Sequence, residues 1–129
     1  MVNREFWVIG TKLTEQDIDD IMVSALEGGI SYWAYRAEVV GEYLGEWASE
    51  QISRGGSLEI YLYEPFDAEN TKMYTLTLDK FLSGFELWVK NNDTDGAILP
   101  DGHVDCGNID SIRADAIVQY SLFGDIVFG

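Results

Sequence analysis

His103 and Cys106 are the chain's one histidine and one cysteine, three residues apart with Asp105 between them. A thiol, an imidazole and a carboxylate in one loop could make an activated nucleophile. Such a pair needs rigid elements to hold it and donors aimed at a developing oxyanion, and one loop supplies neither. A zinc centre needs more N and S ligands than the chain owns. These residues therefore read as a polar loop with an incidental thiol. No Lys-Ser/Thr follows Gly28-Gly29 or Gly55-Gly56 as a phosphate loop requires, and no Gly-x-Ser-x-Gly element is present. The expectation is a protein that is not an enzyme and carries no cofactor.

Asn91-Asn92-Asp93-Thr94-Asp95-Gly96 matches the opening of a calcium loop, with oxygen ligands Asn91, Asp93 and Asp95 ahead of the glycine. The closing position holds Gly102 in place of a bidentate Glu, and no helix follows at once. The stretch reads first as a turn whose Asn, Asp and Gly supply backbone geometry. Tyr32, Trp33 and Tyr35, with Arg36 beside them, could form an aromatic pocket that stacks a base and contacts its phosphate. Aromatics in a strand more often serve cross-strand packing, yet three adjacent rings cannot all point inward.

Charge is the strongest signal. Twenty-three carboxylates face eight Lys and Arg, a formal net charge of −15 on 129 residues. The resulting field disfavours direct contact with nucleic acid, which binds through Lys and Arg. A basic groove on another protein is the natural complement. Glu42, Glu46 and Glu50 stand four apart, with Glu38 extending the series, and no Lys or Arg sits at the intervening i+3 positions. On a helix such a row advances about 6 Å per step, and could occupy a groove built for phosphates. Like charges at that spacing oppose the helix by roughly 0.2–0.5 kcal/mol per pair, and an ordinary solvated face is the plainer reading.

The elements that would hold these groups follow from periodicity. Residues 4–13 read as a first strand. Thr14 caps a helix through Ile18, Ile21, Met22, Ala25 and Leu26, ended by Gly28-Gly29. Residues 30–40 read as a strand. Residues 42–53 return to helical spacing through Tyr43, Trp47, Ala48 and Ile52, before Gly55-Gly56. Residues 57–64 alternate, with Leu58, Ile60 and Leu62 on one face and Glu59, Tyr61 and Tyr63 on the other. After a polar turn at 65–70, 72–77 is the returning strand of a hairpin. Thr77 caps a helix over 78–90, an acidic Gly-rich loop spans 91–108, and a last helix covers about 110–121. Residues 122–129 are too apolar for a free tail, and should dock on the body or on another chain.

The whole, residues 1–129, is expected to be one α+β domain: a small, mainly antiparallel sheet of about four strands covered by three to four helices. With four Trp, seven Tyr and six Phe, the composition argues against disorder. A lone cysteine fits a reducing compartment. The opening MVNREFWVIG lacks a signal peptide's layout, and no apolar run is long enough for a membrane helix. A cytoplasmic protein without membrane contact is expected.

Ala25-Leu26-Glu27-Gly28-Gly29-Ile30-Ser31-Tyr32-Trp33 and the ending from Ala114 to Gly129 resemble a group of small acidic proteins of bacteriophages, prophages and other mobile elements. The resemblance implies a setting, mobile DNA inside a bacterial cell, and carries over no activity and no site residue. Together with the charge it suggests a counter-defence protein. Of the anti-CRISPR or anti-restriction type, it would show a DNA-mimicking surface, Glu38, Glu42, Glu46 and Glu50, to a basic host effector that binds nucleic acid. Two other readings stand beside it. One is a sponge that sequesters a nucleotide signal on Trp33, Tyr35 and Arg36. The other is a structural or replication accessory, or homodimer, assembled through the apolar C-terminal stretch.

Overall fold

The computed structural model describes residues 4–129. Residues 1–3, which open the stretch compared with a signal peptide, lie outside it. Thr14 is both the last residue of a hairpin and the cap of the first helix. The hairpin pairs β1 (Glu5–Val8) with β2 (Thr11–Thr14), Val8 opposite Thr11. The single strand expected over 4–13 is therefore two. Its turn, Ile9-Gly10, has both residues at positive φ, 40° and 76°. A two-residue hairpin favours that handedness, but β-branched isoleucine rarely adopts it, so the usual sequence mark of a turn is missing.

Helix α1 (Glu15–Ser24) starts in a reciprocal cap. The Thr14 hydroxyl accepts from the Asp17 N–H at 3.0 Å, and the Asp17 carboxylate accepts from the Thr14 N–H at 2.9 Å. The helix runs on through one π-type turn, Ala25–Gly29, and stops at the glycine pair. Ile18, Ile21, Met22 and Ala25 form its buried face.

The second sheet has the order β3 (Ala34–Val39), β4 (Leu58–Leu62), β5 (Met73–Leu76), antiparallel throughout. Strand β3 begins later than expected, because Ile30 to Trp33 form turns ahead of it. Its register slips between Ala34 and Arg36. That bulge leaves Tyr35 and Arg36 consecutively exposed, which strict alternation would forbid. Strand β4 alternates as expected, with Leu58, Ile60 and Leu62 buried.

No helix forms over 42–53. The chain runs irregularly through 40–47 and then makes a single 3₁₀ turn, Ala48–Glu50. Gly41 and Gly45 weaken helix here, and the four-spaced glutamates add repulsion. The spacing of Tyr43, Trp47 and Ile52 was helical without a helix to carry it.

Helices α2 (Leu78–Asn91) and α3 (Ser111–Phe123) start on Thr77 and Asp110, whose side chains accept from Lys80 N–H and Arg113 N–H. They cross closely at Gly84, where an added Cβ would stand 2.5 Å from Ser121 Cα. Helix α3 is central, buried from Ile117 to Ser121 on every side. Phe81, Phe85 and Trp88 of α2 join Ile18, Met22, Ile60 and Ile117 in one core. The C-terminal stretch docks on its own chain, Phe128 stacking on Trp33 at 5.3 Å between ring centres. Among the described residues the architecture is α+β, with five strands in two antiparallel sheets where about four in one were expected, and three α-helices. Among the described residues no helix is long and apolar enough to cross a membrane.

Candidate functional site

The loop 40–47 joins β3 to the 3₁₀ turn, and side chains beyond it hold its backbone. Gln51, 1% exposed, donates from Nε2 to the Glu42 carbonyl at 3.1 Å and accepts from the Leu44 N–H at 3.0 Å. Glu50 Oε1 accepts from the N–H groups of Glu46 and Trp47 at 2.8 and 3.0 Å. Arg54 pairs with Glu50 at 3.5 Å and donates to the Leu44 carbonyl at 3.4 Å. Gly45 lies against both, since a Cβ there would stand 2.9 Å from Glu50 Cβ and 3.1 Å from Arg54 Nε. The loop's own side chains are left outward: Tyr43 is 60% and Trp47 64% exposed, with Glu42, Leu44 and Glu46 also exposed. A fixed backbone presenting aromatic and acidic side chains is the arrangement that serves recognition.

The four expected glutamates do not form a helical row. Glu38 is in β3, opposite Glu59 on β4, and ion-paired to Arg36 at 3.1 Å. Two carboxylates directly opposed in a sheet repel, and here Arg36 on one side and the Tyr61 hydroxyl on the other offset part of that. Glu50 is half-buried and turned inward to cap the loop. Glu42 and Glu46 face solvent from the loop, without a cation paired to either among the described residues. Glu59 was placed on the outer face by the alternation of 57–64; its opposition to Glu38 needed the strand register.

Trp33, Tyr35 and Arg36 do not converge on one pocket. The bulge keeps Tyr35 outward against Tyr61 and Tyr63, and sets the Arg36 guanidinium 4.4 Å from the Tyr61 ring centre. Trp33 turns the other way and is 2% exposed. Its Nε1–H donates to Asp115 Oδ1 at 2.7 Å, and Tyr32 Oη–H donates to Asp115 Oδ2 at 2.6 Å. Gln119 Nε2 donates to the same carboxylate and to the Phe128 carbonyl, both at 3.0 Å. Gln119 Oε1 accepts from the N–H groups of Val127 and Phe128. Burial, and then the adjoining Asp115 carboxylate, push the Tyr32 hydroxyl up to about 12. This network clamps the tail to α3. Asp115 and Gln119, one turn apart among the apolar residues Ala114, Ala116, Ile117 and Val118, were the overlooked sign of it.

In the loop 91–108 the half calcium motif is put to other use. Asn91 ends α2 and donates to the Leu87 carbonyl. Asp93 Oδ1 accepts from the Asp95 N–H. The Arg113 guanidinium sits on the carbonyls of Asp93, Asp95 and Asn108, at 3.3, 3.1 and 2.8 Å. His103 pairs with Asp101 at 3.0 Å, whereas the Cys106 thiol reaches Asp17 Oδ1 at 3.5 Å. Burial, and then Asp17, push that thiol well above its ordinary range, so it is held protonated. Among the described residues no three His, Cys, Asp or Glu side chains gather as a metal site.

The best-formed surface is thus the outer face of β3 and β4 with the loop that continues it. Compared with family models, curated proteins and solved structures, the chain matches none of them.

Proposed function

We propose that this chain is a non-enzymatic binding protein that docks on a basic protein and competes there with nucleic acid. The observation that carries this reading is the loop 40–47, its backbone held by Gln51, Glu50 and Arg54 while Tyr43, Trp47, Glu42 and Glu46 face solvent. Exposed Trp and Tyr on a fixed backbone supply binding energy with little ordering cost. The opposed Glu38 and Glu59 extend the acidic surface along the sheet, and a cation from a partner would relieve their repulsion. The net charge of −15 speeds encounter with a cationic groove. The resemblance to mobile-element proteins makes a defence effector in the bacterial cytoplasm the partner class, as in anti-CRISPR or anti-restriction proteins. The acidic surface in this reading is sheet plus loop; the helical stripe is given up.

Crosslinking in a bacterial lysate, identification of the captured protein and its purification would test this. The purified partner should bind with an affinity that falls as salt rises, and duplex nucleic acid should displace the chain. A partner that binds equally well with nucleic acid already bound would overturn the competition.

A further inference from the structure

An open hollow of about 590 Å³ lies at the end of β3 away from the loop, lined by Tyr32, Trp33, Tyr63, Glu64 and Phe128. That is within the size range of small-molecule sites. None of these lining residues is cationic, and Glu64 and Tyr63 are exposed, Tyr63 by 61%. Directly behind the wall lies Asp115, 8% exposed. Among the described residues its side-chain partners are the Trp33 indole, the Tyr32 hydroxyl and the Gln119 amide, three neutral donors and no cation. The carboxylate thus has hydrogen-bond donors but no paired cation, and one of those donors, the Tyr32 ring, is exposed on the wall of the hollow, whereas the Trp33 face is covered by the stacked Phe128. A ring hydrogen-bonded to a carboxylate is richer in electrons, and its face attracts cations more strongly. The same aromatic row already does this within the chain. Arg36 lies over Tyr61, Tyr35 bridges Tyr61 to Tyr63, and Tyr63 opens on the hollow.

We infer that the hollow bounded by Tyr32, Trp33, Tyr63, Glu64 and Phe128 is a binding site for an organic cation, a guanidinium or alkylated ammonium head. The exposed Tyr32 and Tyr63 rings supply cation–π attraction, Glu64 a carboxylate at the rim, and Asp115 hydrogen-bonded to Tyr32 a polarising partner from behind. An anionic nucleotide would meet the opposite of what it needs. The site is separate from the loop surface and stands whether or not that surface binds a basic protein.

The test follows the ring resonances of Tyr32, Trp33 and Tyr63 while tetramethylammonium or methylguanidinium chloride is added at constant ionic strength. The neutral isosteres tert-butanol and methylurea serve as controls. Saturable shifts with the cations alone are expected, weakened about threefold by Tyr63→Ala and by Glu64→Gln, and unchanged by Glu86→Gln on α2, which does not line the hollow. A Gly-Gly-Arg-Gly-Gly peptide binding more tightly than methylguanidinium would identify a protein side chain as the source of the cation. Equal affinities would identify a free small cation. Matching shifts from the neutral isosteres would overturn the site, as would unsaturable shifts indifferent to both pocket variants.

Discussion

Trp33 and Asp115, 82 residues apart in the chain, share a buried hydrogen bond of 2.7 Å from the indole N–H to the carboxylate. It joins the turn before β3 to the central helix α3, and Tyr32 and Gln119 complete a network that also holds the tail. The second site and the fold's closure depend on the same carboxylate.

Asp115→Ala is expected to cost about 1–3 kcal/mol from the stranded indole N–H alone. Asp115→Asn, which keeps an oxygen for Trp33, should cost less. Urea unfolding monitored by circular dichroism checks both. Equal stability of Asp115→Ala and the natural chain would contradict a structural network.

Alkaline pH should loosen the same network. The folded Tyr32 hydroxyl titrates at about 12 against an ordinary value of 10.0, raised by burial and then by Asp115. The neutral phenol is thus favoured by folding, so its stabilisation is complete below about pH 10 and is lost as pH rises through about 12. Ultraviolet titration should find a tyrosine at about 12 that Tyr32→Phe removes, while Tyr74, raised by burial and then by Asp67, stays above the ordinary value in both chains.

How far the sequence disclosed this molecule depended on whether the interactions were local. The caps at Thr14 and Thr77 and the alternation of Leu58, Ile60 and Leu62 act over a few residues and were legible. The segment 42–53 misled because Tyr43, Trp47 and Ile52 have helical spacing for a different reason. Two of these residues stay in solvent and one enters the core, around a loop fixed by Gln51 and Glu50. The Ile9-Gly10 turn was hidden by a residue seldom found at positive φ. Tyr35 and Arg36 share a face only because of a bulge, and the Asp115 network joins distant segments. Neither is encoded in a local pattern.

Cys106 should resist alkylation. Its thiol is raised by burial and then by Asp17, and is held against that residue. Iodoacetamide at mildly alkaline pH should label it far more slowly in the folded chain than in urea, and Asp17→Asn should speed labelling. A folded rate equal to the unfolded one would contradict the contact.

Gly84→Ala should destabilise the crossing of α2 and α3. The new Cβ would overlap Ser121, whose Cα would lie 2.5 Å away, and whose backbone cannot yield without moving α3. Roughly 1–3 kcal/mol or more is expected for such overpacking. Thermal unfolding reads it, with Gly28→Ala, which has open space at its Cβ, as the control.

The central claim is that a fixed acidic and aromatic loop recognises a basic partner. Its most direct test is the affinity of the captured, purified partner for Trp47→Ala, for Glu42→Gln with Glu46→Gln, and for Gln51→Ala. The account predicts a loss of roughly tenfold or more for Trp47→Ala. It also predicts a smaller, salt-dependent loss for the glutamate pair, and a loss for Gln51→Ala accompanied by faster exchange of the Leu44 amide. Unchanged affinity in all three variants, each with an intact circular dichroism spectrum, would contradict it.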